Sequence, residues 1–312
     1  MSLNLHHLRL FTAVVQHGGF TKAAAKLNLS QPAISKSLNE LERQLGLDLI
    51  ERTGRTVRLT DAGETLFARA SELFGVERAA EQELRELRGL KRGTLRIAAS
   101  TTIATYMLPP YLGRFHMRHP RVRIQATSAN TRSVLKMLLE FRVDVALVEG
   151  PVSDQRVTVE PWKDDELIVI APPSHRFRKT RVTPAMLATE QFLVREPGSG
   201  TRVVTEHALA SQGVRLTNTM RVGGTEAIKQ AVAAGLGLAI VSRAAAADQL
   251  TLGRIAMLPI EGLTIRRTLA QIKLQGRAAT ASARELESLL SEVVDESLAD
   301  ASGDIGPSDA NK

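Results

Sequence analysis

Hydrophobic positions fall into two regimes along the chain. Over the first sixty residues they recur at helical spacing. Leu8, Phe11, Val14 and Val15 stand three to four residues apart and stop at Gly18-Gly19, which predicts a short amphipathic helix ended by glycine. Thr21 is placed to cap a second helix over Lys22 to Leu27, where Ala23, Ala24 and Ala25 let another helix come close. Asn28-Leu29 makes a tight turn. Ser30 then caps a third helix, whose first turn tolerates Pro32 because the missing N–H would have no partner there. On that helix Ile34, Leu38, Leu41 and Leu45 form one apolar stripe at about 100° per residue. Pro32, Ser35, Lys36, Asn39 and Arg43 project from the opposite side. After Gly46, Leu49 and Ile50 lead through Arg52 to the turn Thr53-Gly54-Arg55 and out along Val57-Arg58-Leu59, a hairpin with a basic tip.

From Asp61 to about Lys91 there is no proline. Leu66, Ala70, Leu73, Ala80, Leu84 and Leu87 follow steps of four and three with one gap at Glu77, a seam of roughly three heptads. A stripe that narrow either packs on its own domain or pairs with a second copy. Beyond Gly93 the pattern changes to short β-branched runs at Thr94 to Ala98, Val122 to Ala126, Val143 to Val148, Leu167 to Ala171, Gln191 to Val194 and Leu238 to Ser242, with helical stretches between most of them. This alternation predicts two doubly wound α/β lobes. We place lobe I at 94–163 plus 268–298 and lobe II at 164–267, the chain crossing between them twice. Residues 299–312 carry Gly303, Gly306, Pro307 and three aspartates, and read as a disordered tail.

The 312 residues suit about two domains at ~150 residues each. Lys and Arg number 41 against 33 Asp and Glu, a net charge of +8, which suggests a polyanionic partner. Residues 1–60 hold eight Lys or Arg and four acids, so half of that excess sits in under a fifth of the chain. Cations gathered in one module displace counterions from phosphates, although a solvated surface shows the same count. With one Trp, two Tyr and eight Phe, a stacking platform for single strands is disfavoured and duplex DNA is the better target. The absence of cysteine excludes disulfides, a thiol nucleophile, Cys-ligated zinc and iron–sulfur clusters. No apolar leader opens the chain, and Ile97 to Gly113 is too short and too polar to span a bilayer, so a cytoplasmic protein without a membrane partner is expected.

Four places combine a strand end, hydroxyls or glycines, and a helix start: Ser100-Thr101-Thr102, Thr127-Ser128-Ala129-Asn130-Thr131, Gly198-Ser199-Gly200-Thr201-Arg202 and Gly223-Gly224-Thr225. In a doubly wound fold the ligand crevice lies beyond the carboxyl ends of the strands, so these should converge. Helix N-termini offer unpaired N–H groups and partial positive charge, which favours a small anionic ligand. Each cluster can equally be a simple cap. Arg195 and Arg202 can pair a carboxylate or lie solvated at the surface.

Enzyme motifs are incomplete. Pro197 stands where a nucleophile elbow needs glycine, and Val203 and Ile240 occupy the third glycine position of a dinucleotide fingerprint. His116 and His119 are three apart on a predicted helix but lack a suitably spaced carboxylate, so neither metal nor cofactor is expected.

Phe20-Thr21 with Ala23-Ala24, Leu29-Ser30-Gln31-Pro32-Ala33-Ile34-Ser35, Leu41-Glu42, Leu45-Gly46, Leu49-Ile50-Glu51-Arg52 and Leu59-Thr60-Asp61-Ala62-Gly63 resemble, in register and without gaps, the winged helix-turn-helix of LysR-type transcriptional regulators. Ile50 stands where the family usually has phenylalanine. The resemblance implies a winged helix-turn-helix over 1–60, a linker and dimerisation helix over 61–92, and an effector domain over 93–298 that looks like a periplasmic binding protein. It implies that Ser30 to Lys36 enters the major groove of a double-stranded operator, with Arg52 and Arg55 on the backbone or in the minor groove. The candidate DNA contacts are Ser30, Gln31, Pro32, Ser35, Lys36, Asn39, Arg52 and Arg55. It also implies paired wings in a homodimer or homotetramer, with RNA polymerase as a partner. For the effector it favours Thr101, Thr102, Ser199 and Thr201, with Ser100, Ser128 and Thr225 beside them. Arg195 to Arg202, Thr225 to Lys229 and Gly235-Leu236-Gly237 look like the branch with carbon-fixation and sulfur-assimilation regulators. A cytoplasmic solute receptor without a DNA role is the alternative reading, and a two-lobed enzyme the third.

Overall fold

The computed structural model describes residues 3–51, 57–87 and 93–292. Arg52, the hairpin tip with Arg55, and the 299–312 tail lie outside the described residues.

The helices α1 (Leu5–His17), α2 (Phe20–Leu27), α3 (Gln31–Leu45) and the start of α4 (Asp61–Leu87) enclose one core, with Phe11, Val14, Ile34 and Leu41 fully buried. Phe11 meets Phe67 edge to face at 6.4 Å between ring centres. The expected cap on α2 is corrected: the helix begins at Phe20 with Gly19 at the cap position and no side-chain cap. Gly18 and Gly19, at φ 70° and 151°, turn the chain directly into α2, so Thr21 falls inside its first turn. Ser30 does cap α3, its hydroxyl accepting from the Ala33 N–H at 3.3 Å.

The base of the predicted hairpin is present as an antiparallel bridge between Ile50 and Leu59, with Glu51 N donating to Arg58 O at 2.9 Å. Glu42 fixes its entry. This buried carboxylate accepts from Leu49 N at 2.8 Å and Ile50 N at 3.3 Å. Thr60 donates to Asp48 O at 2.6 Å and accepts from Gly63 N at 3.0 Å, capping α4. A Cβ on Gly63 would stand 2.0 Å from Leu49 O, so only glycine lets α4 start against the hairpin.

The seam read on α4 is divided. Leu66, Phe67, Ala70 and Phe74 pack on the helix's own domain, while Leu73 and Leu84 are 45% and 61% exposed and Ala80 is exposed as well. The Leu87 side chain lies outside the described residues. Two aromatic rings, absent from the predicted seam, turn its first half inward. Further along, Arg78 donates to Phe141 O at 2.7 Å, and a Cβ on Gly75 would come within 2.3 Å of the Phe141 ring, so α4 also sits against lobe I.

In lobe I, β1 (Thr94–Ser100) pairs in parallel with β2 (Arg123–Ala129) and β3 (Val145–Val148). A π-helical turn at Ile103–Met107, α5 (Pro109–Arg118), α6 (Thr131–Leu139) and α11 (Ala281–Ser291) cover this sheet. Two long strands, β4 (Val157–Ala171), expected only at its end, and β9 (Ile265–Leu274), not expected at all, pair antiparallel and carry the sheet from one lobe into the other. The expected strand at Leu167 to Ala171 is only the end of β4. Glu160, Lys163, Asp164 and Asp165 hide its first part from a search for apolar runs, and their partners include Arg267 and Thr268 on β9.

In lobe II, β7 (Ala239–Ser242) and β8 (Ala256–Leu258) flank β4, and β5 (Phe192–Val194) pairs with β6 (Thr219–Arg221). Leu193 N donates to Leu238 O at 2.7 Å and joins the two sheets. The helices α7 (Pro184–Leu187), α8 (Gly200–Ser211), α9 (Thr225–Ala233) and α10 (Arg243–Thr251) complete the lobe. Among the described residues no helix is long and apolar enough to cross a membrane, and no group of three His, Asp or Glu could hold a metal ion.

Candidate nucleic-acid interface and interlobe site

The outer face of α3 follows from its apolar stripe: with Ile34, Leu38 and Leu41 buried, Gln31, Pro32, Lys36 and Asn39 are exposed and Ser35 is half-buried. Lys36 makes no ion pair among the described residues. Arg43 is held by Glu40 through a 3.2 Å bond from Nε, and the Ser30 hydroxyl is occupied by its cap. The face therefore presents one uncommitted cation amid amide and hydroxyl groups, the mixture that suits phosphates and base edges of a duplex.

Between the lobes the structure corrects the surface reading of Arg195. Its guanidinium is 4% exposed at the end of β5 and contacts both lobes. Nη1 donates to Thr225 Oγ1 at 3.0 Å, Nη2 donates to Thr101 Oγ1 at 3.2 Å, and a fork of 2.8 and 2.9 Å grips Glu196. That fork holds the Glu196 carboxyl at about 2, well below the usual carboxylate range. Asn130 Nδ2 also donates to Glu196, at 3.3 Å. Arg202 bonds Arg195 O at 3.2 Å and Glu206 at 2.7 Å.

A second interlobe tie joins Tyr106, from the π-helical turn, to Glu226 on α9 at 2.7 Å. The buried Lys229 donates to Ala245 O at 2.6 Å and meets Glu226 at 2.9 Å. Burial pushes the Glu226 carboxyl up, but hydrogen bonds from Lys229, Tyr106 and Gln230 outweigh it and hold the group at about 2. Burial, then the bond to Glu226, pushes the Tyr106 phenol up.

The candidate hydroxyls divide accordingly. Thr101 and Thr225 meet at Arg195. Thr201 donates to Glu149 at 3.1 Å and accepts from Arg267 at 2.9 Å. Ser199 is buried and spent on the cap of α8, accepting from Arg202 N at 3.4 Å. Thr102 is buried, and the buried Ser100 hydroxyl has no partner among the described residues. Ser128 is exposed on the edge strand β2 and does not join the cluster.

Sequence reasoning missed the charged knot beneath them. Arg267, 3% exposed, meets Asp165 at 2.7 Å and Glu149 at 3.4 Å, and its Nη1 donates to Glu149 O at 3.2 Å. Ser242 donates to the other Asp165 oxygen at 2.7 Å. Only the register of β4 on β9 puts Asp165 opposite Arg267, so no local spacing announces the pair. The glycines were the available signal: a Cβ on Gly150 would sit 2.4 Å from the Gly200 Cα, and one on Gly200 would sit 2.7 Å from Thr131 Oγ1. Lobe I thus meets the start of α8 backbone to backbone.

Two family models match, the LysR-family bacterial regulatory helix-turn-helix over residues 5–64 and the LysR substrate-binding domain over 88–295. The RuBisCO operon transcriptional regulator of Allochromatium vinosum is 38% identical over 86% of this chain and 88% of its own. CysL of Bacillus subtilis is 32% identical over 85% and 89%. These relatives bear the names of transcriptional regulators and match the branch expected from Arg195 to Arg202. Among solved structures, full-length OxyR of Pseudomonas aeruginosa aligns with a TM-score of 0.68 at 25% identity, covering 93% of this chain and 94% of its own. The regulatory domain of CcmR from Synechocystis, solved in complex with 2-PG, aligns at 0.58 and 26% identity over 64% and 96%. The chain belongs to the LysR family of DNA-binding transcriptional regulators, with a helix-turn-helix and a two-lobed α/β effector-binding domain.

Proposed function

We propose that this regulator grips a two-fold operator with the outer face of α3 and responds to a small anion bound between the lobes. Gln31, Pro32, Ser35, Lys36 and Asn39 read or grip the major groove, Ser30 positions the helix, and Arg52 and Arg55 reach phosphates or the minor groove. The working units are 1–60, the linker helix 61–92, and 93–298 with lobes at 94–163 plus 268–298 and 164–267. A two-fold operator calls for at least a dimer. The exposed Leu73, Val76 and Leu84 of α4 supply an apolar surface for a second copy. A cytoplasmic setting and contact with RNA polymerase belong to the same reading.

The observation that carries the anion is Arg195. A buried guanidinium that already touches a hydroxyl from each lobe is a ready partner for a ligand carboxylate or phosphate in place of Glu196. Such an anion changes DNA binding only if it prefers one lobe arrangement. The test is fluorescence anisotropy of the chain on duplex DNA from upstream of its own coding sequence, with and without 2-PG, phosphate, sulfate and small carboxylates. The proposal expects preference over random duplex and a change of affinity with at least one of these anions. Equal affinity for random DNA refutes the operator reading, and indifference to all of them refutes the anion.

A further inference from the structure

We propose that lobe II contains a second ligand site, opening beside the interlobe one, for an organic acid with an extended apolar body and a single carboxylate. A cavity of about 680 Å³ lies between α8 and the face of the sheet formed by β5, β6 and β7. Phe192, Val194, Leu209, Val214, Leu216 and Ile240 supply its apolar wall. Close-packed interiors leave few voids larger than a water molecule, and ligand pockets span roughly 300–1,000 Å³. This opening has the size of a binding site and not of a packing defect.

Its polar groups define the ligand. Arg195, Arg202, Glu206 and Arg215 line the same cavity, so the balance there favours an anion. Arg195 is taken up by Glu196, Thr225 and Thr101. Arg202 is committed to Glu206 and to Arg195 O, whereas Arg215 is exposed and makes no ion pair among the described residues. Thr205 contributes a further signal: it lines the cavity, and its hydroxyl is buried without a hydrogen-bond partner among the described residues. A carboxylate at Arg215 with its chain laid along the half-buried Leu216 and Val194 answers both the charge and the apolar wall. Arg195, Thr201 and Arg202 belong to this cavity and to the interlobe networks alike, so the end of β5 and the start of α8 are shared by the two sites.

The experiment is isothermal titration calorimetry of the full chain with decanoate below its micellar range, using decanol as the uncharged control. We expect saturable one-site binding of decanoate. Arg215→Gln weakens decanoate about three- to fivefold, the range of one exposed ion pair, and leaves decanol unchanged. Leu216→Trp, which fills the cavity, abolishes both, and Thr101→Leu in the interlobe site alters neither. Absence of saturable binding overturns the proposal, as does equal loss of decanol and decanoate in Arg215→Gln. Wild-type binding by a Leu216→Trp protein of unchanged melting temperature also overturns it. Should Leu216→Trp fail to fold, Arg215→Gln decides alone, since that side chain holds no other group in place.

Discussion

Replacing Arg267 by methionine tests whether the charged knot under the interlobe site holds the two lobes together. The guanidinium is 3% exposed and faces Asp165 at 2.7 Å and Glu149 at 3.4 Å, both carboxylates being almost wholly buried. Truncation leaves two buried negative charges without their cation, a loss of about 3–5 kcal/mol for one broken buried pair. Each carboxylate keeps one hydroxyl bond, Asp165 from Ser242 and Glu149 from Thr201. For a domain of this size each kcal/mol lowers the melting temperature by about 2–4 °C, so Arg267→Met should lower the regulatory-domain transition by about 6–20 °C in scanning calorimetry. Adding Glu149→Gln or Asp165→Asn should each recover part of the loss. A shift below about 2 °C, or no recovery by Glu149→Gln, refutes the account of the knot.

Three further outcomes are expected. Glu196→Gln should lower the melting temperature, with a pH dependence of known sign: the native group sits at about 2 against 4.5 ordinarily, so its contribution is complete above 4.5 and fades as pH falls toward 2. A gap between wild type and variant that stays constant from about pH 6 to 3 contradicts this. Gly75→Val, whose Cβ would lie within 2.3 to 2.8 Å of three Phe141 side-chain atoms, should push α4 off lobe I at a cost of about 1–3 kcal/mol. Adding Phe141→Ala should restore the wild-type melting profile, and a profile that Gly75→Val leaves unchanged contradicts the contact. Thr101→Leu should abolish the anion response in a reporter assay while DNA binding persists; a normal response counts against the cleft.

The three helices of the first sixty residues were legible because each depends on local signals: an apolar stripe, a capping serine, a stopping glycine. The miss at Thr21 came from two adjacent glycines whose joint geometry has no sequence signature beyond their presence. On α4, Phe67 and Phe74 outweigh the leucine spacing, because large rings next to a core take the inward positions whatever heptad surrounds them. In the regulatory half, the apolar ends of β1, β3 and β7 were readable, while β9 and the first part of β4 were not. Charged residues on those strands find partners only across the sheet, at a separation that no window covers. The same reason hid Arg267, Asp165 and Glu149 and left the burial of Arg195 open. Thr101, Thr201 and Thr225 lie between the lobes because strand ends converge in this topology; Ser128, chosen by the same rule, lies on an exposed edge strand.

The claim that α3 meets DNA through its outer face is tested most directly at Lys36. Anisotropy titrations of wild type and Lys36→Ala on the upstream duplex, over a series of salt concentrations, give the slope of log affinity against log salt. If Lys36 neutralises one phosphate, the variant binds more weakly to specific and random duplex alike, and its slope is smaller by about one. An unchanged slope with unchanged affinity would place the DNA on another surface.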